Sequence, residues 1–162
     1  MIRKHLPKTR EGYLFDTQVL RLELYRLLTS ILASEHAYQD SNHITLFNEF
    51  QEDQIIIALI TIATTVRIID DREKRYLNRF NTECGQIITW RNKKRETGIL
   101  KLREACNKII HAKKIRFEVF DSLNTERLKP LIHFYGIQDK KKWKATIELL
   151  KFIEKVEGFV YT

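Results

Sequence analysis

The chain is poor in the residues that interrupt regular structure. Its 162 residues include five glycines and two prolines, which disfavours a turn-rich all-β sandwich and favours long, uninterrupted elements. The two cysteines, Cys84 and Cys106, lie in unrelated contexts without CxxC or Cys/His ligand spacing. We therefore expect reduced thiols, no metal site and no cofactor.

Long apolar runs are also missing. The longest, residues 55–69, is interrupted by threonines and by Arg67, and is too short to cross a membrane. The basic amino terminus is not followed by an apolar run of signal-peptide length. The motifs GxxxxGK[ST], GxGxxG, GxSxG and HExxH are absent, which argues against the familiar nucleotide-binding and hydrolase sites. The sequence predicts a cytoplasmic protein without a membrane partner.

Positive charge is abundant and unevenly distributed. The chain has 29 Lys and Arg against 21 Asp and Glu, for a net charge of +8. Between Arg91 and Arg116, ten residues are basic and two are acidic, so this segment alone carries the net charge of the whole chain. Such a block favours a polyanionic partner. The alternative is a solvated basic face that only aids solubility.

Hydrophobic patterning predicts an α+β fold in one domain spanning 1–162, with an N-terminal helical bundle. Leucines at helical spacing, from Leu20 to Leu28, predict a helix over 17–37. Residues 44–75 are rich in Ile and Thr but form too long a run for one strand, so we expect a second helix there. A less regular stretch over 78–97 and a shorter helix over 99–112 complete a helical part of about 13–112.

The period changes to two in the β-rich part, about 113–150. Apolar and polar residues alternate in 114–120 and 142–149, and 131–136 is a further β-prone run. These runs predict a small three-stranded antiparallel sheet, followed by a short C-terminal helix over about 150–158 that ends at Gly158. The alternative for 142–157 is one amphipathic helix, since Trp143, Ile147, Leu150 and Ile153 also fit helical spacing. Alternation over eight residues favours the strand.

A polar stripe on the helix over 99–112 is the best candidate for chemistry. Arg103, Asn107 and His111 are spaced four apart, so they lie along one edge of the helix. Arg103 could neutralise charge on a phosphodiester, His111 could transfer a proton near neutral pH, and Asn107 could orient the imidazole or bind the phosphate. The structural alternative is that His111 caps the helix C-terminus and Asn107 ties the helix to a neighbour.

Basic residues with an adjacent tryptophan suggest a nucleic-acid-binding patch. The predicted contacts are Trp90, Arg91, Lys93, Lys94, Arg95, Lys108, Lys113 and Lys114. Tryptophan stacks on bases while Lys and Arg contact phosphates, a combination typical of single-stranded nucleic-acid binding. Trp143, among Lys140, Lys141, Lys142 and Lys144, is a second candidate. Core aromatics flanked by solvated lysines are the alternative.

The segment LREACNKIIHA, residues 102–112, resembles the signature helix of HEPN domains, small helical bundles of bacterial toxins and defence systems. Asn107 and His111 match the end of the family motif, in which an Arg and a polar residue precede the His. Cys106 stands where the motif has Arg, and the nearest upstream Arg is Arg103. The resemblance implies a four-helix bundle, frequent homodimerisation and metal-independent RNA cleavage in active members.

Two functional hypotheses follow. The first is a basic HEPN-like protein that binds RNA, with metal-independent endoribonuclease activity carried by Arg103, Asn107 and His111, in a toxin or defence system. The second is a non-enzymatic interaction protein, such as an immunity protein or antitoxin, that covers an acidic protein partner. A homodimer is compatible with the first.

Overall fold

The structure, a computed structural model, describes residues 8–9, 12–13, 17–37, 44–73, 82–91, 94–122 and 125–161. The helices are α1 (Thr17–Ala37), α2 (Ile44–Glu73), α3 (Leu102–Ile110) and α4 (Leu149–Tyr161). The strands are β1 (Lys8–Thr9), β2 (Gly12–Tyr13), β3 (Glu83–Arg91), β4 (Lys94–Lys101), β5 (Lys114–Ser122), β6 (Thr125–Gln138) and β7 (Lys141–Glu148). β1 and β2 form a separate two-stranded hairpin.

The main sheet has five antiparallel strands in the order β4-β3-β7-β6-β5, so the prediction of three strands is wrong. The two missed strands, β3 and β4, lie where the sequence predicted an irregular stretch and the start of a helix. β4 is an edge strand with only Leu100 buried, and its charged residues conceal the two-residue period. Residues 78–81 of the predicted irregular stretch lie outside the described residues.

Helices α1 and α2 confirm the helical part predicted for the N-terminal half. Leu20, Leu24 and Leu27 of α1 are buried, as their helical spacing predicts. In α2 the isoleucine-rich middle forms a helix despite its β propensity, and Leu59 and Ile62 are fully buried. Tertiary packing outweighs local preference here because both residues join the core between the helices and the sheet.

The carboxyl-terminal segment is a strand followed by a helix, as alternation predicted. β7 places Trp143, Ala145 and Ile147 in the core. α4 then continues past Gly158 to Tyr161, so the predicted stop at Gly158 is wrong. The buried residues Val156 and Phe159 continue the apolar face of α4 across this glycine, and their packing holds the helix together.

The hairpin between β6 and β7 fixes the register of the sheet centre. Its two loop residues, Asp139 and Lys140, have φ angles of 48° and 63°, as a type I′ turn requires. This turn pairs Gly136 with Trp143 across the strands. A Cβ atom added to Gly136 would lie 2.2 Å from Cζ2 of Trp143, so the indole ring occupies the space above this glycine.

Both cysteine side chains are fully buried, and neither forms a disulfide. Burial raises the pKa of Cys84 to about 12, and burial likewise raises the pKa of Cys106. The thiols are therefore core groups of low reactivity. None of the described helices combines the length and apolar character that crossing a bilayer requires.

The contact between Gly136 and Trp143 generates a stability prediction. Gly136→Ala should lower the free energy of unfolding by about 1 to 3 kcal/mol, because the buried indole ring must move to admit the new methyl group. Gly158→Ala is the matched control: no heavy atom lies within 4 Å of the added Cβ, and the helix should gain up to about 1 kcal/mol. Urea denaturation of both variants measures these changes, and equal effects would contradict the packing described.

Candidate nucleic-acid interface

The five-stranded sheet has one face packed on the helices and one open face. Side chains on the open face include Tyr135, Trp90, Ile137 and Ile99, of which Ile99 is 63% and Ile137 50% exposed. Apolar side chains on an open sheet face cost solvation free energy and are typical of contact surfaces. This open face is therefore the first candidate for a binding surface.

Cations alternate with aromatic rings across the open face. The strand register places Lys142 between Trp90 and Ile137, and Lys144 beside Tyr135. The Lys144 ammonium lies 5.8 Å from the centre of the Tyr135 ring, within cation–π range. Cations that the strand register places on this face include Arg95, Lys114, Arg116, Lys142 and Lys144.

Acidic side chains of the open face lie toward the end away from the β6–β7 hairpin, and they are already paired. Glu118 Oε1 accepts a hydrogen bond from Nε2 of His133 at 2.7 Å, and Glu148 lies 2.9 Å from the Lys151 ammonium. The hydrogen bond with His133 holds the pKa of Glu118 below its usual value. The hairpin end of the face thus keeps a positive potential.

A cleft of about 580 Å³ opens at this positive end; we call it the aromatic cleft. It is lined by Trp90, Lys113, Lys114, Tyr135, Gly136, Ile137, Lys142 and Trp143. Two of its three aromatic residues, Trp90 and Trp143, come from the two patches that the sequence suggested separately. Strand pairing between β3 and β7 sets Trp90 beside Lys142 on the open face, while the Trp143 ring borders the cleft from the helix-covered face.

The other predicted patch residues of the β3–β4 hairpin are exposed. Arg95 lies opposite Trp90 in the register, and Arg91 lies opposite Lys94. Trp90 is 37% exposed, so part of its ring is available for stacking. Lys93 lies outside the described residues.

Sequence reasoning missed Tyr135 and Ile137 as members of this surface, and it grouped Lys142 and Lys144 with Trp143 in a second candidate patch. Strict alternation places these two lysines on the opposite face from the Trp143 side chain. Alternation in 142–149 shows which residues share a face of the strand. It does not show which face is open, because that depends on which side of the sheet the helices cover.

Lys108 is held inside the molecule rather than presented to a ligand. The residue is 5% exposed, although it is among the nucleic-acid contacts predicted from the sequence. Its ammonium lies 2.9 Å from Glu104, donates to Gln138 Oε1 at 2.8 Å and sits 4.7 Å from the centre of the Trp143 ring. These three contacts satisfy the charge, so Lys108 connects α3 to the β6–β7 hairpin.

Arg103 is paired with carboxylates of α2. Its guanidinium donates to Asp70 and, at 2.6 Å, to Asp71. The Asp70 side chain is 4% exposed, so this ion pair is partly buried. Burial, followed by the neighbouring charge of Arg67, lowers the pKa of Arg103. The guanidinium is thereby engaged in joining α3 to α2, which leaves it poorly placed to meet a phosphate.

The other two stripe residues, Asn107 and His111, also have structural contacts. Asn107 Oδ1 accepts a hydrogen bond from Arg67 of α2, which ties the two helices together. His111 is the C-cap residue of α3, and its backbone N–H donates to the Asn107 carbonyl at 3.0 Å. Catalysis by Arg103, Asn107 and His111 stays a prediction.

Asn107 and His111 line a second cleft, of about 540 Å³, between α2, α3 and the β6–β7 hairpin; we call it the basic cleft. Its lining residues are Arg67, Glu104, Asn107, Lys108, His111, Lys113, Ile137, Gln138 and Trp143. Arg103 is not among them; it lines a smaller cleft with Lys101 and Asn107. The guanidinium beside Asn107 and His111 thus comes from Arg67, which local spacing within one helix could not indicate.

Position 106 is in the core. Cys106 is fully buried on the opposite side of α3 from the basic cleft, at the position where the HEPN motif has Arg. An arginine at this position would place its charge among apolar side chains.

The ion pair of Arg103 generates a second prediction. Arg103→Ala should lower the free energy of unfolding by about 2 to 3 kcal/mol, because it leaves the buried Asp70 carboxylate without this partner. In an Asp70→Asn background the same substitution should cost about 1 kcal/mol or less. Lys101→Ala, at an exposed position nearby, is the control and should change stability by less than about 0.5 kcal/mol. An equal cost of Arg103→Ala in both backgrounds would show that the ion pair does not hold α3 to α2.

Comparison with known proteins adds no relative. No family model matches the chain, and no curated protein or solved structure matches it. The HEPN resemblance therefore stays a prediction that rests on residues 102–112.

Proposed function

We propose that this protein binds single-stranded RNA on the open face of its sheet. The carrying observation is the aromatic cleft, in which Trp90 and Tyr135 are flanked by Lys114 and Lys142. Aromatic rings stack on unpaired bases, and lysines beside them contact the phosphates of the same strand. The proposal keeps the RNA partner and cytoplasmic location that the sequence predicted.

Aromatic exposure favours a single strand over a duplex. In an RNA duplex the bases are stacked on each other, and proteins contact mainly phosphates and 2′-hydroxyls. Such a partner would not use the rings of Trp90 and Tyr135. Single-stranded RNA offers unstacked bases next to its phosphates. Aromatic rings and lysines on neighbouring β-strands can therefore contact both at once.

The same rings favour RNA over an acidic protein. An acidic protein surface would be satisfied by the lysines and arginines alone, without the apolar and aromatic side chains between them. We therefore treat the immunity-protein or antitoxin hypothesis as an outcome of the experiment below.

The proposal is one of binding rather than cleavage. Metal-independent cleavage by the predicted residues needs Arg103 and His111 on one phosphate. Arg103 is instead paired with Asp70 and Asp71 and does not line the cleft that contains His111. A substrate would have to displace two carboxylates to recruit Arg103.

Fluorescence anisotropy with a short, unstructured, labelled RNA tests the binding surface. Trp90→Ala should weaken binding by about 1 to 3 kcal/mol through loss of stacking. Lys142→Ala should weaken binding and reduce the slope of log affinity against log salt by about 0.7, as expected for one lost phosphate contact on a single strand.

Lys155→Ala is the matched control for charge, because Lys155 lies on α4 and is paired with Glu154. It should leave affinity nearly unchanged. Two results together would overturn the RNA proposal in favour of an acidic protein partner: polyglutamate displaces the labelled RNA as well as unlabelled RNA does, and Trp90→Ala leaves the affinity unaltered. Tighter binding of DNA with the same sequence would contradict the choice of RNA.

Cleavage is tested separately by incubating total RNA with the protein in EDTA. We expect the RNA to be recovered intact. Cleavage that disappears in both His111→Ala and Arg103→Lys would contradict binding alone and establish the endoribonuclease hypothesis. Cleavage that is equal in the wild type and both variants would come from another source.

A further inference from the structure

The aromatic cleft and the basic cleft adjoin each other. They share three lining residues, Lys113, Ile137 and Trp143. The position of Lys113 is fixed by its backbone N–H, which donates to the Tyr135 carbonyl at 2.8 Å. One lysine therefore stands at the junction between a surface for bases and a cleft lined by polar donors.

Three side chains that line the basic cleft have hydrogen-bond donors with no acceptor among the described residues. Because Arg67 donates to Oδ1 of Asn107, the amide nitrogen Nδ2 is left as the donor end, and it has no acceptor among the described residues. The side chains of His111 and Lys113 are exposed and have no hydrogen bond or ion pair with the described part of the chain. All three residues line the cleft.

Arg67 brings a further unmet donor. Its Nη2 lies 3.3 Å from Asp71, while its buried Nε has no hydrogen-bond partner in the described structure. Buried guanidinium donors are normally satisfied, so an unmet one points to an incomplete site. A ligand need not contact Nε itself, because a small movement of the Arg67 guanidinium can change which of its N–H groups face the cleft.

The charges around the cleft leave a positive excess at its mouth. Glu104 offsets Lys108, and the two aspartates of α2 offset Arg67 and Arg103. Lys113 has no such partner among the described residues. Donors with an unneutralised cation form a site for an oxyanion.

We propose that the two clefts together bind a nucleoside monophosphate unit, with the base in the aromatic cleft and the phosphate in the basic cleft. This inference rests on the proposed function and names the part of the nucleic acid that is recognised. A phosphomonoester carries close to two negative charges at neutral pH, against one for an internal diester. The basic cleft is also the more enclosed of the two, which suits the end of a strand better than its middle. The unit can belong to an RNA terminus or to a free nucleotide.

The experiment compares one RNA sequence with a 5′-phosphate, with a 3′-phosphate and with hydroxyl ends, alongside free AMP. Quenching of tryptophan fluorescence reports binding of each, because Trp90 and Trp143 line the aromatic cleft. We expect one terminal phosphate to tighten RNA binding by about tenfold. His111→Ala and Lys113→Gln should remove that gain.

Lys114→Gln is the matched control. Lys114 adjoins Lys113 in sequence but lines only the aromatic cleft and not the basic cleft. Lys114→Gln should therefore weaken the binding of all the RNAs equally and keep the preference for a terminal phosphate. AMP that binds as tightly as phosphorylated RNA would identify a free nucleotide as the ligand, which supports the inference and overturns the RNA proposal. If the three RNAs bind with equal affinity whatever their ends, and binding still depends on Trp90, the inference is wrong and the proposal of RNA binding is retained. Loss of the preference in Lys114→Gln would also overturn the inference.

Discussion

The pairing of β3 with β7 is the constraint on which the rest of this structure depends. It joins a local hairpin, β3–β4, to the β5–β6–β7 meander, and it is the contact that makes one five-stranded sheet from two pieces. The two strands approach closely at Gly85, where an added Cβ would lie 2.0 Å from the Thr146 carbonyl oxygen. Only glycine permits this approach. The pairing gives the helices one continuous surface to cover, and it places Trp90 beside Lys142 on the other side.

The two faces of the sheet then acquire different chemistry. On one face, Ile132, Phe134, Ala145 and Ile147 pack with the helices and are fully buried. Removal of this apolar surface from water is the main favourable contribution to stability. On the other face, lysines and aromatic rings alternate, and none of the helices that the structure describes covers them. The proposed function resides on this second face because the fold leaves its apolar groups in contact with water.

Helix α3 connects the core to the basic cleft. Its apolar side is anchored by Cys106 and Ile109, while its polar side forms an ion pair with α2 and a hydrogen bond with the β6–β7 hairpin. A helix held on both sides presents Asn107 and His111 in fixed positions, a requirement for recognising a small anion. Arg103 contributes to this positioning through Asp70, although its residue type and spacing had suggested a role on the ligand itself. The basic charge of 91–116 is therefore divided between structural ion pairs and exposed cations.

The sequence by itself determined the two long helices, the core face of α1 and the strands of the β5–β7 region, because each depends on a local period of apolar residues. It also determined the basic, aromatic character of the surface. Strand β4 escaped detection because an exposed edge strand rich in Lys and Arg has no clear period. Strand β3 escaped detection because a register shift between Glu83 and Gly85 interrupts its alternation. The partners of Arg103, Asn107 and Lys108 were decided only by tertiary structure, since they lie on α2 and the β6–β7 hairpin, at least 30 residues away for each of these contacts. The junction of the two clefts was decided in the same way, because a local pattern shows which side chains share a face but not which distant element will lie against that face.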